Sequence, residues 1–327
     1  MSLKEKSEDI ISHDSYKAGI KSSLGDSSQK IDVSIVMTYF ERKNQLFNTI
    51  KSFSMHGYEG VEVIIIDDGS VEQPVTVEEL SYLAPKLDIR VIRIEPEGKK
   101  YFNPCIPFNQ GFTEARGSII IIQNTECIHV GDIVSYCRKN LDNSKYFSFG
   151  CFSIDQEAMM QISNKEKFDR IFLEKYISRN EIVSADGEIG WYNHSVFRPA
   201  AYHFTAALTR DNLDLLKGFD TRYAYGIGHD DDEFIERIRR SRMKIEIIDD
   251  VTVLHQWHYS MTKNLRFDKL FTRNRLLLKL VTKRENKISY SRFSIRYLCF
   301  LIMLPILSIA VKFVERKRIL KRGVILK

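Results

Sequence analysis

Residues 61–70 read VEVIIIDDGS. Val61, Val63, Ile64, Ile65 and Ile66 crowd five β-branched side chains into six positions. A half-buried strand would alternate apolar and polar residues, so this run predicts a strand covered on both faces. It ends on two adjacent carboxylates, Asp67 and Asp68, followed by Gly69-Ser70. In an open α/β sheet, ligands bind beyond the carboxyl ends of the strands, which is where these acids fall. The plainer reading of a strand-end Asp-Gly is a turn.

Outward from this strand, the pattern alternates. Residues 32–38 (DVSIVMT), 89–94 and 118–122 read as further strands. Residues 41–55 carry Leu46, Ile50 and Phe53 on one helical face, and 74–83 and 107–115 also read as helices. Strands alternating with helices imply βαβ units and a mostly parallel, Rossmann-like sheet with helices on both faces. Two more polar clusters then share the ligand edge: Thr38-Tyr39-Phe40-Glu41-Arg42 after the first strand, and Gln123-Asn124-Thr125-Glu126-Cys127 after the fourth. No G-x-G-x-x-G follows the first strand, which argues against a dinucleotide-binding enzyme.

The second half of the body holds Tyr225-Gly226-Ile227-Gly228-His229-Asp230-Asp231-Asp232-Glu233. Four consecutive acids repel one another unless they cap a helix, meet a cation or do chemistry. Residues 230–240 (DDDEFIERIRR) read as a helix with acids in its first turn and bases in its last, so capping accounts for one acid. The remainder point to a general base poised over a pocket. His255-Gln256-Trp257-His258 follows a strand-like 251–254, where a neutral imidazole is either a metal ligand or a structural residue. Trp191 and Tyr192, between Gly190 and Asn193, offer aromatic faces for stacking; the plainer reading of Trp191 is a partly buried anchor.

Composition bounds the rest. A chain of 327 residues, 43% apolar and 28% charged, is one large or two modest globular domains, not a collagen, a coiled coil or a disordered chain. Five cysteines lack any C-x-x-C pair, which argues against a disulfide framework or zinc knuckle and fits a reducing compartment. The net charge of +6 hides an asymmetry: residues 261–327 hold 18 basic and 3 acidic side chains, leaving 31 and 40 in residues 1–260. Within the basic end, residues 297–311 (YLCFLIMLPILSIAV) carry no charge. That stretch falls short of the roughly 20 apolar residues a spanning helix needs, so it reads as a monotopic or re-entrant anchor with basic flanks on anionic headgroups. The apolar run argues against nucleic acid as the partner of these charges. Upstream, Leu270, Leu277, Leu278 and Val281 recur among Arg273, Arg275, Lys279 and Lys283, the pattern of a basic amphipathic helix leading into the anchor; a core helix is the alternative. Residues 1–30 contain eight serines and no apolar signal region, and read as a disordered lead-in.

These clusters, in this order, resemble the family 2 glycosyltransferases of GT-A fold. VSIVMTYFERKNQL is similar to that family's opening strand and helix, VEVIIIDDGS to its nucleotide-binding strand end, and NPCIPFNQGFTEARGSIIII to the segment leading to its metal motif. GFDTRYAYGIGHDDDEFIERI resembles the acceptor-side segment, including the region shared with β-1,4-galactosyltransferases. The resemblance covers about residues 31–260. It implies a nucleotide-sugar half (31–140), an acceptor and catalytic half (141–260), and a membrane-associating helical extension (261–327).

By this resemblance Thr38, Tyr39, Glu41, Asp67, Asp68, Asn109 and Asn124 would bind the donor, which is expected to be a UDP-sugar. The family's Asp-x-Asp metal triplet falls on Asn124-Thr125-Glu126 and has lost one carboxylate, so Mn²⁺ or Mg²⁺ would rest on Glu126 with His255. Asp231 takes the place of the catalytic base, with Asp230 beside it, and Trp191, Tyr192, Gly228 and Asp232 would face the acceptor. The implied activity is an inverting transfer to a hydroxyl of a glycan or lipid-linked glycan, on the cytoplasmic face of a membrane. A nucleotidyltransferase would share a nucleotide-binding sheet but should show a glycine-rich phosphate loop, absent at Glu41-Arg42-Lys43. A degenerate, non-catalytic binding protein would account for the altered triplet but not for four charged neighbours at one helix start.

Overall fold

The computed structural model describes Lys21–Ser22 and residues 30–178, 189–258 and 265–285. Its strands are β1 (Lys21–Ser22), β2 (Val33–Tyr39), β3 (Val61–Asp68), β4 (Asp88–Ile94), β5 (Ile119–Asn124), β6 (Cys127–His129), β7 (Lys145–Ser153), β8 (Gly190–Asn193), β9 (Thr205–Thr209) and β10 (Lys244–His255). The helices are α1 (Lys43–His56), α2 (Val77–Leu83), α3 (Cys105–Glu114), α4 (Ile133–Asn140), α5 (Gln156–Ser163), α6 (Arg170–Glu174), α7 (Arg210–Leu216), α8 (Asp230–Arg240) and α9 (Leu265–Glu285).

One sheet runs in the order β1-β4-β3-β2-β5-β9-β7-β10-β6, with β8 paired to β7. The half β4-β3-β2-β5 is wholly parallel, as the βαβ pattern requires. Beyond it β9 runs antiparallel to both β5 and β7, β10 is parallel to β7, and β6 is antiparallel to β10. This is the mixed α/β, GT-A-like architecture expected from the sequence.

Strand residues divide alternately between two cores. Val33, Ile35 and Met37 of β2 join Val61, Val63 and Ile65 of β3 beneath Leu46, Ile50 and Phe53 of α1. Val36, Ile64 and Ile66 face the other way, onto Phe108 and Phe112 of α3, Phe234 and Ile238 of α8, and Leu277 of α9. Both faces of the parallel strands are therefore buried, which is why β3 reads as an unbroken apolar run.

Two boundaries differ from the sequence reading. Helix α2 begins at Val77, after Pro74, because Thr76 caps it: the Thr76 hydroxyl accepts from the Glu79 amide and the Glu79 carboxylate accepts from the Thr76 amide. The larger correction concerns α9. Its apolar residue Leu277 is buried in the second core, with Leu278 and Val281 packed against it, and Leu270 is buried on the same helix. The basic amphipathic pattern of this segment is thus the face of a domain helix, and the domain runs past residue 260 to at least residue 281. Among the described residues, no helix is long and apolar enough to cross a membrane. Within the lead-in read at residues 1–30, Lys21–Ser22 pairs with β4 as strand β1 and is not disordered, while residues 1–20 and 23–29 and the apolar run at 297–311 lie outside the described residues.

Candidate active site

The carboxyl ends of β2, β3 and β5 meet on one rim. At the end of β3, Asp67 and Asp68 are both buried and each holds a cation: Arg93 Nη1 lies 2.8 Å from Asp67, and Lys99 Nζ 2.8 Å from Asp68. Burial pushes both carboxyl pKa values up, against the pull of these cations and of the Ser70 amide on Asp67. Lys99 also sits over the Phe40 ring, 3.7 Å from its centroid. Phe40 is 42% exposed at this edge.

Glu41 follows in a left-handed conformation, φ 51°. Its carboxylate accepts from the backbone amides of Val71, Glu72 and Gln73, so it shapes the loop after β3. Although burial opposes its charge, those three amides hold its pKa below the ordinary range. Tyr39 is buried beside it and donates its hydroxyl to the Gln73 carbonyl.

The turn between β5 and β6 carries Glu126, clamped by residues distant in sequence. Its backbone carbonyl accepts from the Gln256 amide at 3.0 Å, and the Gln256 side chain is in turn tied to Gln45 and Asn48 of α1. Its Oε1 meets Arg42 Nη1 at 2.9 Å, His255 Nε2 at 3.4 Å and His258 Nε2 at 3.6 Å. Burial works against the Glu126 charge, but Arg42, His255 and His258 together hold the carboxyl well below its usual range. One donor atom each from Glu126, His255 and His258 lies within 4.8 Å of the others. Neighbouring donors at about 2.1 Å from a first-row ion stand about 3 to 3.5 Å apart, close to the spacing seen here. One carboxylate and two imidazoles also form a donor set suited to Mn²⁺ or another transition ion. The residues fit a metal, provided that Arg42, whose side chain is 36% exposed, yields Oε1.

The four acids of α8 are not left to repel one another. Asp230 accepts from Asn103 Nδ2 at 2.6 Å, and Asp231 meets His203 Nδ1 at 2.5 Å. Asp232 accepts from the Tyr202 hydroxyl at 2.6 Å and pairs with His229 Nδ1 at 2.7 Å, while Glu233 pairs with Arg237. Asp230 is the strained member. Burial and the adjacent Asp231 push its pKa to about 6. His203 is buried between Phe108 and Phe219, and although burial disfavours its charge, Asp231 holds its pKa up.

Two short segments draw the acids and the rim together. In one, Tyr101 donates to Asp68 at 2.7 Å and Asn103 donates to Asp230. In the other, Tyr202 and His203 engage Asp232 and Asp231, while the next residue, Phe204, accepts the Asn124 amide at 2.9 Å and lies 6.1 Å from the His255 ring. The acids at the end of β3, the Glu126 group and the helix acids are thus linked through these two segments.

The profile of Glycosyl transferase family 2 matches residues 34–197, about half of the chain. The chain belongs to glycosyl transferase family 2. Among solved structures the transferase is similar to S. aureus TarS 1–349 in complex with UDP, at a TM-score of 0.51 and 11% identity over 76% of this chain and 65% of that one. S. aureus TarS gives a TM-score of 0.50 at 12% identity, over 76% of this chain and 39% of that one. The transferase therefore spans less than two thirds of either TarS chain, and at these identities the likeness is one of fold. No curated protein matches the sequence.

Several of the residues expected to bind ligand have other employment. The Asn109 amide is used on both sides by the Phe219 peptide, donating to its carbonyl at 2.8 Å and accepting from its N–H at 2.7 Å, so it is a clamp between α3 and the 218–220 turn. Trp191 is buried, edge-on to Phe152, which makes it the core anchor and not a stacking platform. Tyr192 packs at the Glu126 group, its ring 4.8 Å from His255. The Thr38 carbonyl accepts from Thr125, tying β2 to the Glu126 turn. Gly228 contributes backbone, with φ +65° and its carbonyl bound to Asn274. Sequence reasoning missed Phe40, Arg42, Lys99, Asn103, His203 and His258. Phe40 and Arg42 lie in the cluster placed at the ligand edge, and His258 carries an H-x-x-H spacing from His255.

Proposed function

We propose that this transferase moves a sugar from a UDP-sugar to an acceptor hydroxyl with inversion, using Asp231 as general base. The observation that carries this reading is the pairing of Asn103 with Asp230 and of His203 with Asp231, which sets the helix acids against the rim bearing Asp68 and Glu126. Asp231 is the more open of the two leading acids, its side chain 31% exposed, whereas Asp230 is buried. The acceptor O–H hydrogen-bonds to the Asp231 carboxylate and gives up its proton there. The acceptor oxygen bonds to C1 of the sugar as the C1–O bond to the diphosphate breaks, and that electron pair leaves on the diphosphate. His203 fixes the orientation of Asp231 throughout.

On the donor side, Phe40 offers a face to uracil, and Asp67 and Asp68 accept from base or ribose donors. Glu126, His255 and His258 would hold a divalent ion, which when bound neutralises charge on the leaving diphosphate. Arg42 and Lys99 lie on the same rim and complement that charge. The UDP found with S. aureus TarS supports a uridine donor. The apolar run at 297–311 and its basic flanks support an acceptor presented at an anionic, cytoplasmic membrane face, such as a lipid-linked glycan.

The test is a panel of UDP-sugars with Mn²⁺, Mg²⁺ or chelator, following donor hydrolysis, thermal stabilisation and the anomeric configuration of the product by NMR. Stabilisation by UDP and product of inverted configuration are expected. A protein that neither binds UDP nor cleaves any UDP-sugar overturns the reading.

A further inference from the structure

The loop that delivers the acids is held from outside the family-matched segment, by α9. Asn274 is fully buried, and its side-chain amide donates to two carbonyls: Tyr223 at 3.0 Å and Gly228 at 2.9 Å. Its Oδ1 accepts from Arg273 Nη1 at 2.7 Å. The fit against the loop is close. A Cβ on Gly226 would lie 2.1 Å from Asn274 Oδ1, and one on Gly228 3.3 Å from the Phe271 ring. Between the two glycines, the Ile227 amide donates to the Leu270 carbonyl. Next in the chain, His229 takes a left-handed conformation, φ 64°, with its ring 4.6 Å from Phe271 and its Nδ1 on Asp232. From Leu270, Phe271 and Asn274, a continuous path of contacts leads to the residue that precedes Asp230.

A buried amide whose two N–H groups both end on backbone carbonyls of one loop fixes that loop's path. Alanine would leave both carbonyls without their donor in a dry site. The loop could then shift, and the first turn of α8 would shift with it. Among the described residues, no residue of this path touches Asp68 or Phe40 directly; the link runs through the Ala224 carbonyl, which accepts from the Phe102 and Asn103 amides.

We infer that Asn274 is a positioning residue for transfer: α9 holds residues 226–229 so that Asp231 stands where the acceptor hydroxyl arrives. The inference rests on the proposed role of Asp231. It places a determinant of turnover in α9, downstream of the segment that the family profile matches.

The test compares Asn274→Ala, Asn274→Asp and Leu277→Ala in the full chain. Leu277 is buried on the same helix and is not part of this hydrogen-bonded path. The readouts are kcat, UDP affinity by titration, thermal unfolding, and amide hydrogen exchange across residues 223–233. Both Asn274 variants should lower kcat by about tenfold to a hundredfold, the scale on which misplaced catalytic groups act. UDP affinity should stay within about twofold, and exchange at residues 226–229 should accelerate. Leu277→Ala should lower the unfolding temperature yet keep kcat within about threefold, as a packing loss without loss of the tether. Equal loss of kcat in Leu277→Ala, or kcat within about twofold of wild type in Asn274→Ala, overturns the inference. Unchanged exchange at 226–229 overturns it whatever the activity, whereas a wild-type protein inert toward every UDP-sugar overturns the proposed function instead.

Discussion

The His203 ring and the Asp231 carboxylate are in contact, Nδ1 to Oδ1 at 2.5 Å, and the His203 backbone amide points at the same oxygen from 3.4 Å. Ring and peptide together leave Asp231 little rotational freedom. Asp231→Asn keeps the shape and removes the proton acceptor. Transfer should fall by about 10²–10⁴-fold, the range for a lost general base, with UDP affinity unchanged. Single-turnover kinetics beside a UDP titration separate the two, and turnover within tenfold of wild type would show that the base lies elsewhere.

Glu126 is the one carboxylate of its group, so Glu126→Ala should weaken Mn²⁺ and UDP binding together, by tenfold or more for the ion. Calorimetric titration of Mn²⁺ in the presence of UDP measures this directly. Arg42→Met should act in the opposite direction on the ion titrated without nucleotide, because it removes the cation that competes for Oε1. Tighter Mn²⁺ binding in that variant is the expected outcome.

The raised pKa of Asp230 has a signed consequence for stability. Between about pH 4 and its folded value of about 6, the folded protein keeps a proton that the unfolded chain has lost. Stability therefore falls as pH rises through that window, and the penalty, on the order of 2–3 kcal/mol, is fully present above it. Asp230→Asn has no proton to lose and keeps an oxygen for Asn103. The variant should unfold at a higher temperature than wild type at pH 8, and the gap should close toward pH 4. A constant difference at both values would refute the burial argument.

Phe40→Ala should weaken UDP binding by about 1–3 kcal/mol, the worth of one base–aromatic stack, and should leave Mn²⁺ affinity in the absence of nucleotide unchanged. Phe40→Tyr should retain most of the affinity. Fluorescence or calorimetric titration with UDP decides, and an alanine variant binding as wild type would place the base away from this edge.

Truncation after Ser289 removes the apolar run and its basic flank but spares α9. The shortened protein should keep donor hydrolysis and lose binding to vesicles containing anionic lipid. A truncated protein that still sediments with such vesicles would move the membrane contact to the folded body.

The parallel half of the fold was legible because β2 and β3 are covered on both sides and show it in unbroken β-branched runs, with α1 between them showing one apolar face. The acids at the rim were legible for a related reason, since strand ends carry no core duty. Sequence spacing failed where one residue does a job that a distant partner defines. Asn109 and Asn103 sit six residues apart in one segment, and only the fold decides that the first clamps Phe219 and the second meets Asp230. The pattern of α9 was read correctly as one-sided, but periodicity does not say whether core or lipid covers the apolar side. The repulsion argument for the four acids left open what relieves them, and only the fold supplies it: Asn103, His203, Tyr202 and Arg237 come from other segments or from the last turn of the helix.

Because Asn103 reaches forward to the helix acids and Phe204 reaches back to the Asn124 amide, each side of residue 140 supplies a contact to the candidate site residues of the other. Chimeras built by exchanging donor halves between relatives at residue 140 would therefore inherit mismatched seams. Swaps that carry residues 101–103 and 202–204 as a matched set should preserve function where simple halves do not.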